Sequence, residues 1–343
     1  MARRSVLVVA VLCVLAACAP GAASDIGSDA GQAGEPRPAV LSESLFTTAD
    51  GLALSARRWL PASDPPKAIV LALHGFNDYS KAFDKVPDAP GVGPYLAARG
   101  IAVFAYDQRG FGASPRAGVW QGRDAMVSDA KDFVALLRKS YPGVPVYLLG
   151  ESMGGAVAIA ALAGAAPDFV DGAVLVAPAV WARATMPVTY RVALWVGVRL
   201  MPGLKPSGRG LGYRASDNLE MLRDNGRDPL FIKQTRIDAI HGLSDLMDEA
   251  LARAGELQTR TLYLYGAKDE IIPKVPTRQA LMNMESAGRS PRLAFYPEGW
   301  HMLLRDKQAE AVLEDIAAFI TQPDAPLPSG AEERSRPRLE SAP

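Results

Sequence analysis

The 343-residue chain carries 37 basic and 37 acidic side chains, so its formal net charge at pH 7 is zero. This balance excludes the basic surface that nucleic-acid-binding domains need, and it gives no strong attraction for acidic substrates. The chain also contains no internal repeat and no glycine-rich phosphate loop of the nucleotide-binding kind.

The N-terminal segment has the pattern of an export signal. Two arginines precede an apolar stretch from Ser5 to Ala17, which has signal-peptide length and is too short to span a bilayer comfortably. The stretch closes on Leu15-Ala16-Ala17-Cys18, which resembles a bacterial lipobox. We therefore expect a lipoprotein signal peptide over residues 1–17 and lipidation of Cys18. An ordinary signal peptide that is cut near Ala19 is the alternative.

The two cysteines of the chain, Cys13 and Cys18, both lie in this segment, so the mature domain has no disulfide and no cysteine metal site. Lipidation of Cys18 predicts a protein anchored in the bacterial cell envelope. An aspartate directly after the lipidated cysteine is the familiar inner-membrane retention signal. Because Ala19 stands there instead, we expect attachment to the outer membrane of a diderm bacterium; a periplasmic or secreted protein is the alternative. Residues 18–40 are rich in small residues and proline, which predicts a flexible tether.

Strands and helices alternate over residues 41–322, which predicts one α/β domain with a mostly parallel, eight-stranded sheet covered by helices on both faces. The strands are expected at Leu45–Thr48 and Leu52–Trp59 as an opening hairpin, then at Ile69–Leu73, Ile101–Tyr106, Val146–Leu149, Ala173–Val176, Leu262–Tyr265 and Leu293–Phe295. The helices include Asp129–Ser140, Ala156–Ala163, Thr277–Ser286 and Gln308–Ile320. Residues 323–343 lack apolar periodicity and predict a disordered tail.

The pentapeptide Gly150-Glu151-Ser152-Met153-Gly154 follows the predicted strand that ends at Leu149. Gly-x-Ser-x-Gly between a strand and a helix is the pattern of a nucleophile elbow, in which small residues let the backbone turn sharply beneath the serine. The turn also places Ser152 near a helix N-terminus, whose free N–H groups can hold an anion. Ser152 is therefore the candidate nucleophile.

A serine hydroxyl needs a base to take its proton, and the chain offers three histidines, His74, His241 and His301. In an α/β-hydrolase the chain order is serine, acid, histidine, which disfavours His74. His241 lies in a stretch without strand character, whereas His301 follows a short predicted strand near the C-terminus. We expect His301 to be the base; a histidine of the core or of an interface is the alternative.

The candidate acid is Asp269, in the loop after the predicted strand Leu262–Tyr265. The sites of open α/β sheets gather at the carboxyl ends of strands. From there Asp269 can accept the Nδ1 proton of His301 and orient the ring. Glu270 is adjacent and could be mistaken for it, and a solvated loop carboxylate is the alternative for either residue.

The candidate oxyanion hole lies where the predicted strand Ile69–Leu73 ends in His74-Gly75-Phe76. A backbone N–H from this turn, together with the amide of the residue after the serine, can hold the negative oxygen that develops during acyl transfer. The donors would be the amides of Phe76 and Met153, with His74 in a structural role at the entry of the loop.

Together these motifs resemble the α/β-hydrolase superfamily, and within it the monoacylglycerol lipase and lysophospholipase branch of the serine aminopeptidase S33 type. The resemblance is carried by His74-Gly75-Phe76, Asp107–Ser114, Gly150–Gly155, Tyr265–Pro273 and Gly299–Leu303. It covers about residues 45–321 apart from a divergent middle, and it implies the α/β-hydrolase fold with a helical cap at about residues 178–259.

The resemblance also implies roles for single residues. It makes Ser152 the nucleophile, Asp269 the acid and His301 the base, and it gives the Asp107–Ser114 loop an architectural role. The chemistry requires neither a metal nor an organic cofactor.

The cap region contains a nearly apolar stretch, Thr189–Met201, interrupted by Arg191 and Arg199. A helix with so little polar surface buries more than one face. It is either a cap helix packed on the core or a lid that presents apolar surface to lipid. Apolar residues near the entrance favour an acyl chain over a charged peptide. The candidate acyl-chain contacts are Leu194, Trp195 and Val198.

The leading hypothesis is a serine hydrolase that cleaves a carboxylic ester of a lipid, a monoacylglycerol or lysophospholipid, through an acyl-enzyme on Ser152. Its partners would be the lipid ester and the membrane that holds the anchor. An aminopeptidase or small-ester hydrolase on the same scaffold is the first alternative, because Glu220, Asp224, Asp238 and Asp245 could hold a substrate amine. A non-catalytic envelope lipoprotein is the second.

Overall fold

The computed structural model describes residues 38–206 and 212–332. Within them a nine-stranded sheet has the order β1-β2-β3-β5-β4-β6-β7-β8-β9. The strands are β1 (Val40–Leu41), β2 (Leu45–Thr47), β3 (Ala53–Trp59), β4 (Ala68–Leu73), β5 (Ile101–Tyr106), β6 (Val146–Glu151), β7 (Gly172–Val176), β8 (Thr261–Gly266) and β9 (Arg292–Tyr296). Strands β4 to β9 run parallel, whereas β1 to β3 pair antiparallel with their neighbours. The mostly parallel sheet is confirmed, and the strand beyond the predicted eight is the two-residue β1.

The helices cover both faces of the sheet, as predicted. They are α1 (Val92–Ala97), α2 (Arg123–Ser140), α3 (Met153–Leu162), α4 (Val188–Leu200), α5 (Leu219–Arg227), α6 (Ile237–Arg253), α7 (Lys274–Ser286) and α8 (Ala309–Thr321). One buried cluster joins α2, α3, α6 and α7 to one face, and a second joins α1 and α8 to the other. Strand β4 serves both, since Leu71 belongs to the first cluster and Val70 to the second. This explains its uninterrupted apolar sequence.

The loop after β5, to which the resemblance gives an architectural role, is bonded to several other segments. The carboxylate of Asp107 accepts hydrogen bonds from the backbone N–H groups of Ser80 and Ala113, at 3.0 and 2.8 Å. The Arg109 guanidinium lies 2.5 Å from the Asp129 carboxylate and also pairs with an aspartate of the β2–β3 turn. These contacts fix the loop to the rest of the domain.

The stretch between β7 and β8 contains the helices α4, α5 and α6. Helix α6 packs on α3, so it belongs to the core, and its Gly242 lies against Trp120. A Cβ at Gly242 would lie 2.3 Å from the Trp120 indole, which explains the glycine at this position. Helix α4 lies outside α6, where Gly197 faces Ile237.

The predicted disordered tail needs correction, because residues 323–332 pack on the domain. Leu327 and Ala331 are buried, and Arg292 binds the carboxylate of Glu332 with two nitrogens. The Phe295 N–H also donates to the Ala331 carbonyl. These partners lie on β9, far away in the sequence, so local composition could not reveal them. Residues 333–343 lie outside the described part of the chain.

The predicted signal peptide, the lipidated Cys18 and most of the tether lie outside the described residues, which begin at position 38. Between there and residue 332, apart from 207–211, no helix has the length and apolar character needed to cross a membrane.

Candidate active site

Ser152 lies in the sharp turn between β6 and α3. Its backbone φ of 53° and ψ of −115° fall in a region that residues with side chains rarely adopt, at a cost of about 1–3 kcal/mol. Three hydrogen bonds hold this conformation. The Ser152 N–H donates to the Val176 carbonyl at 2.9 Å, and the Ser152 carbonyl accepts from Ala156 and Ala179 at 3.1 and 2.9 Å. The domain therefore maintains a strained turn at this position.

The glycines of the pentapeptide are required by close backbone contacts. A Cβ at Gly154 would lie 2.0 Å from the carbonyl oxygen of Leu73, and a Cβ at Gly150 would lie 2.3 Å from that of Gly154. Side chains at these positions would push α3 away from the sheet. The Gly-x-Ser-x-Gly pattern thus has a steric cause in this fold.

The structure brings the three predicted residues Ser152, Asp269 and His301 together. The Nε2 atom of His301 lies 2.9 Å from the Ser152 Oγ, and its Nδ1 atom lies 2.8 Å from the Asp269 Oδ2. Because an ionised carboxylate can only accept, Nδ1 carries the proton and Nε2 offers its lone pair to the serine hydroxyl. The side chains thus form one continuous hydrogen-bonded line.

Asp269, rather than Glu270, contacts the histidine. Its side chain is 0% exposed, and its second oxygen accepts hydrogen bonds from the N–H groups of Ile271 and Ile272 at 2.8 and 2.9 Å. These bonds fix the orientation of the carboxylate. Glu270 is exposed and accepts a hydrogen bond from the backbone N–H of Arg214.

The environment of His301 favours its protonated form. Burial disfavours the charged ring, but the charge and hydrogen bond of Asp269 outweigh burial, so the pKa of His301 is raised above its usual value. A base with a raised pKa holds an abstracted proton more firmly while it remains largely neutral above that pKa.

The other two histidines have different surroundings. His74 is fully buried, its Nδ1 lies 2.8 Å from the Gly75 carbonyl, and its Nε2 accepts the Gln108 N–H at 2.9 Å. Burial lowers the pKa of His74, so it is a neutral residue that holds the loop. His241 lies on α6, where its Nδ1 is 3.3 Å from Asp245. Neither histidine takes part in the hydrogen bonds that connect Asp269, His301 and Ser152.

The turn with the predicted oxyanion donors lies beside the serine. A Cβ at Gly75 would be 3.4 Å from the Ser152 Cβ, so the backbone before Phe76 passes close to the nucleophile. Met153 is the first residue of α3, and the first N–H groups of a helix have no partner within it. The Phe76 ring packs against Phe111 at 5.4 Å between centroids, which holds the turn in place.

A buried ion cluster behind these loops escaped the sequence analysis. The Arg305 guanidinium lies 2.7 Å from the Asp78 carboxylate and 2.9 Å from that of Glu151. Burial raises the pKa of Glu151, and the charge and hydrogen bond of Arg305 partly offset this rise. Each of the three charges stands within four residues of a motif, but no local pattern in the sequence connects them.

Residues 214–218 of the cap are hydrogen-bonded to the loop that carries His301. The Ser216 hydroxyl donates to Asp306 at 2.6 Å, and the other Asp306 oxygen accepts the Trp300 N–H at 2.7 Å. The Met302 N–H donates to the Ala215 carbonyl at 2.9 Å. Burial raises the pKa of Asp306 to about 7, although both hydrogen bonds lower it. This part of the cap therefore supports the position of the histidine loop.

Helix α4 carries the predicted acyl-chain contacts Leu194, Trp195 and Val198. Leu194 and Trp195 line a groove of about 320 Å³ that also includes Arg191 and His241, and Val198 is half-buried outside that lining. Trp195 is 57% exposed.

Three of the four cap carboxylates that could form an amine site pair with an arginine. Asp238 pairs with Arg236, and Asp245 pairs with Arg183. Asp224 pairs with Arg227 and, like Glu220, is exposed on α5. Over residues 38–206 and 212–332, no group of three histidine, cysteine or carboxylate side chains is arranged to hold a metal ion.

The family model described as serine aminopeptidase, S33 matches residues 64–308. Human monoglyceride lipase is 35% identical over 293 residues, which cover 81% of this chain and 89% of that protein. Monoacylglycerol lipase of Mycolicibacterium smegmatis is 28% identical over 288 residues, covering 81% and 96%. The crystal structure of Paleococcus ferrophilus monoacylglycerol lipase has a TM-score of 0.63 at 22% identity, covers 78% of this chain and 98% of that one, and supports the fold. The chain therefore belongs to the serine aminopeptidase S33 family, in the branch of the α/β-hydrolase superfamily that includes monoacylglycerol lipases.

Proposed function

We propose that the protein hydrolyses carboxylic esters of lipids, of the monoacylglycerol or lysophospholipid class, through an acyl-enzyme on Ser152. Its family and its monoglyceride lipase relatives make it a carboxylic ester hydrolase. The observation that carries the finer mechanism is the hydrogen-bonded line from Asp269 through His301 to Ser152.

Acylation begins when His301 Nε2 accepts the proton of the Ser152 hydroxyl. The serine oxygen then attacks the ester carbonyl carbon, and the negative charge moves to the carbonyl oxygen. The amides of Phe76 and Met153 hold that oxygen, while Asp269 stabilises the imidazolium. His301 returns the proton to the leaving alcohol, so the C–O bond breaks and the acyl group remains on the serine.

Deacylation reverses these roles with water as the nucleophile. His301 takes a proton from the water, which attacks the acyl carbonyl carbon, and the same amides hold the second oxyanion. Collapse of this intermediate returns the proton to the Ser152 oxygen and releases the fatty acid. The proton transfers of both stages use Asp269, His301 and Ser152, which already lie within hydrogen-bonding distance of one another.

The lipid character of the substrate is supported by the cap. Val188, Val192 and Trp195 are exposed on α4, at spacings of four and three residues that put them on one side of the helix. Leu194 and Trp195 line the groove between α4 and α6. The groove also contains Arg183, Arg191 and His241, and its apolar part suits an acyl chain. We propose Leu194, Trp195 and Val198 as the residues that select chain length.

The aminopeptidase alternative has weaker support in this chain. A substrate ammonium needs an unpaired carboxylate, yet Asp224, Asp238 and Asp245 each pair with an arginine. Glu220 is exposed at the start of α5. An ester, which carries no ammonium group, makes no such demand on the cap.

We also propose that Cys18 is lipidated and attaches the enzyme to the outer membrane through the tether. The proposal is supported by the lipobox-like run that ends at Cys18 and by Ala19 after it. One acyl chain binds a membrane only marginally, so the several chains of a lipidated N-terminus are needed for firm attachment. The anchor would bring the catalytic domain to its lipid substrate.

The test combines active-site labelling with a substrate panel. A fluorophosphonate probe should label the wild-type protein at Ser152 and leave Ser152→Ala unlabelled. The panel contains p-nitrophenyl esters, monoacylglycerols, lysophospholipids and aminoacyl amides, and we expect the highest kcat/KM for a lipid ester. A wild-type protein that the probe does not label would exclude the acyl-enzyme mechanism. A preference for aminoacyl amides would select the aminopeptidase alternative.

A further inference from the structure

Arg305 carries a positive charge in the interior of the domain, behind the proposed site. Its side chain is 3% exposed, and those of its partners Asp78 and Glu151 are 5% and 2% exposed. Its two terminal nitrogens bind different carboxylates, at 2.7 and 2.9 Å. A buried charge is costly to leave unpaired, so the Arg305 cluster, defined as these three residues, strongly favours one arrangement.

Each member of the cluster belongs to a different part of the proposed site. Asp78 lies on the turn after β4 that carries one of the two amide donors. Glu151 is the last residue of β6 and directly precedes the nucleophile. Arg305 lies four residues after His301 in the same loop. One guanidinium thus joins three segments, with Arg305 separated from its two partners by 154 and 227 residues along the chain.

We propose that Arg305 is a positioning residue that sets the distance between the oxyanion donors and the serine–histidine pair. The inference rests on the proposed function, since it concerns the rate of acyl transfer at Ser152. The planar guanidinium offers several donors in a fixed geometry, which a lysine ammonium cannot reproduce between two separate carboxylates. A misplacement of about 1 Å in such a site can reduce the rate about a hundredfold.

The charges that face His301 give the proposal a second readout. They are Asp269 on the loop after β8, Glu151 at the end of β6 and Arg305 on the histidine's own loop. Burial and the charge of Arg305 lower the pKa of His301, whereas both carboxylates raise it. Loss of the Arg305 charge should therefore move the acid limb of the kcat/KM profile to higher pH.

The first experiment compares Arg305→Lys with Arg109→Lys. Arg109 is also a buried arginine between two carboxylates, but its partners Asp50 and Asp129 belong to no part of the site. We expect Arg305→Lys to lower kcat and the rate constant of fluorophosphonate labelling about tenfold to a hundredfold, with little change in KM. Arg109→Lys should lower Tm and change the labelling rate much less than Arg305→Lys does, because Arg109 contacts neither the serine nor the histidine segment.

The second experiment separates positioning from folding. Arg305→Met should move the acid limb upward and lower Tm, because two buried carboxylates lose their partner. Adding Asp78→Asn and Glu151→Gln removes all buried charge from the cluster, so Tm should recover at least in part, while the labelling rate should stay low. This combination distinguishes a positioning role from a contribution to stability alone.

The outcomes separate this inference from the proposed function. A wild-type protein that does not react with fluorophosphonate would overturn both. A reactive wild type, together with an Arg305→Lys protein of unchanged kcat and labelling rate, would overturn the positioning role alone. If Arg305→Lys does not fold, the triple variant decides, because wild-type labelling by it would also overturn that role.

Discussion

The loops around Ser152 and the outer surface of helix α4 are two very different regions of one domain. At the loops, His301, Asp269 and Arg305 are buried, and each is held by hydrogen bonds or ion pairs from other segments. On α4, Trp195 and Val192 are more than half exposed, at 57% and 54%. Under the proposed function this difference corresponds to a division of labour, in which the fixed region would perform bond cleavage and the exposed region would contact the substrate.

A buried catalytic site and an exposed acyl-binding surface would make different demands on sequence. Groups that stabilise a transition state must be held in place before the substrate arrives. Contacts with an acyl chain need no particular orientation, because the hydrophobic free energy depends on the apolar area that is buried. Substitutions in the first region should therefore affect all substrates alike, and those in the second should discriminate between substrates.

The largest effect is expected from removal of the base in the fixed region. His301→Ala should lower kcat about a millionfold, the size of the loss that follows removal of the triad histidine in the serine protease subtilisin. His241→Ala is the matched control on the cap and should change kcat only slightly. Steady-state hydrolysis of a soluble p-nitrophenyl ester measures both. Comparable losses in the two variants would contradict the assignment of the base.

The acid should rank next. Asp269→Asn replaces an acceptor with an amide that no longer favours the required tautomer of His301, and a loss of about 10⁴-fold in kcat is expected. Glu270→Gln, one residue away, should have a much smaller effect because Glu270 is exposed and accepts from the backbone N–H of residue 214, whereas Asp269 contacts His301. The same ester assay gives the ranking, and the reverse order would move the acid to position 270.

The pH dependence probes the electrostatics of the fixed region. Asp269 raises the pKa of His301 against the effect of burial, and the base must be neutral to accept the serine proton. The kcat/KM value should therefore fall as the pH falls through a pKa above the usual value of about 6.5 for histidine. The measurement is hydrolysis of an alkyl ester between about pH 5 and 9, on either side of that value. An acid limb below the usual histidine pKa would show that burial outweighs Asp269.

The fixed region was the more predictable one from sequence, but only where its signals are local. Ser152, Asp269 and His301 each follow a strand, so short patterns located them. The Arg305 and Asp78 pair joins segments 227 residues apart, and no local pattern connects them. Local patterns also placed the start of α2 at position 129, whereas the helix begins at Arg123.

The cap was predictable as helical but not in its orientation. The apolar sequence of α4 left open whether it packs on the core or faces outward. The structure has both features: Gly197 is buried against Ile237, and Trp195 is exposed beneath the Arg199 guanidinium at 4.0 Å. Which side of a helix finds a partner depends on tertiary packing, and a helix that is apolar all round gives no periodic signal for it.

Substitutions on the exposed side of α4 should affect long-chain and short-chain esters differently, unlike substitutions in the fixed region. Replacing Leu194, Trp195 and Val198 with polar residues should lower kcat/KM for long-chain esters by at least about tenfold, since one methylene in an apolar site is worth about 1–3 kcal/mol. Short-chain soluble esters should be hydrolysed nearly as before. Equal losses for both chain lengths would show that these side chains serve packing rather than acyl-chain binding.

The smallest effect on turnover is expected from the proposed anchor. Cys18→Ala should leave kcat on a soluble ester unchanged, because it alters none of the residues proposed for catalysis or acyl-chain binding. It should abolish labelling by a palmitate analogue and normal processing in cells, and it should lower the rate on esters presented in a membrane, because the enzyme is no longer held at that surface. Cys13→Ala is the matched control and should be labelled normally. A wild-type protein that is released unlabelled into the periplasm or medium would instead support an ordinary signal peptide cut near Ala19.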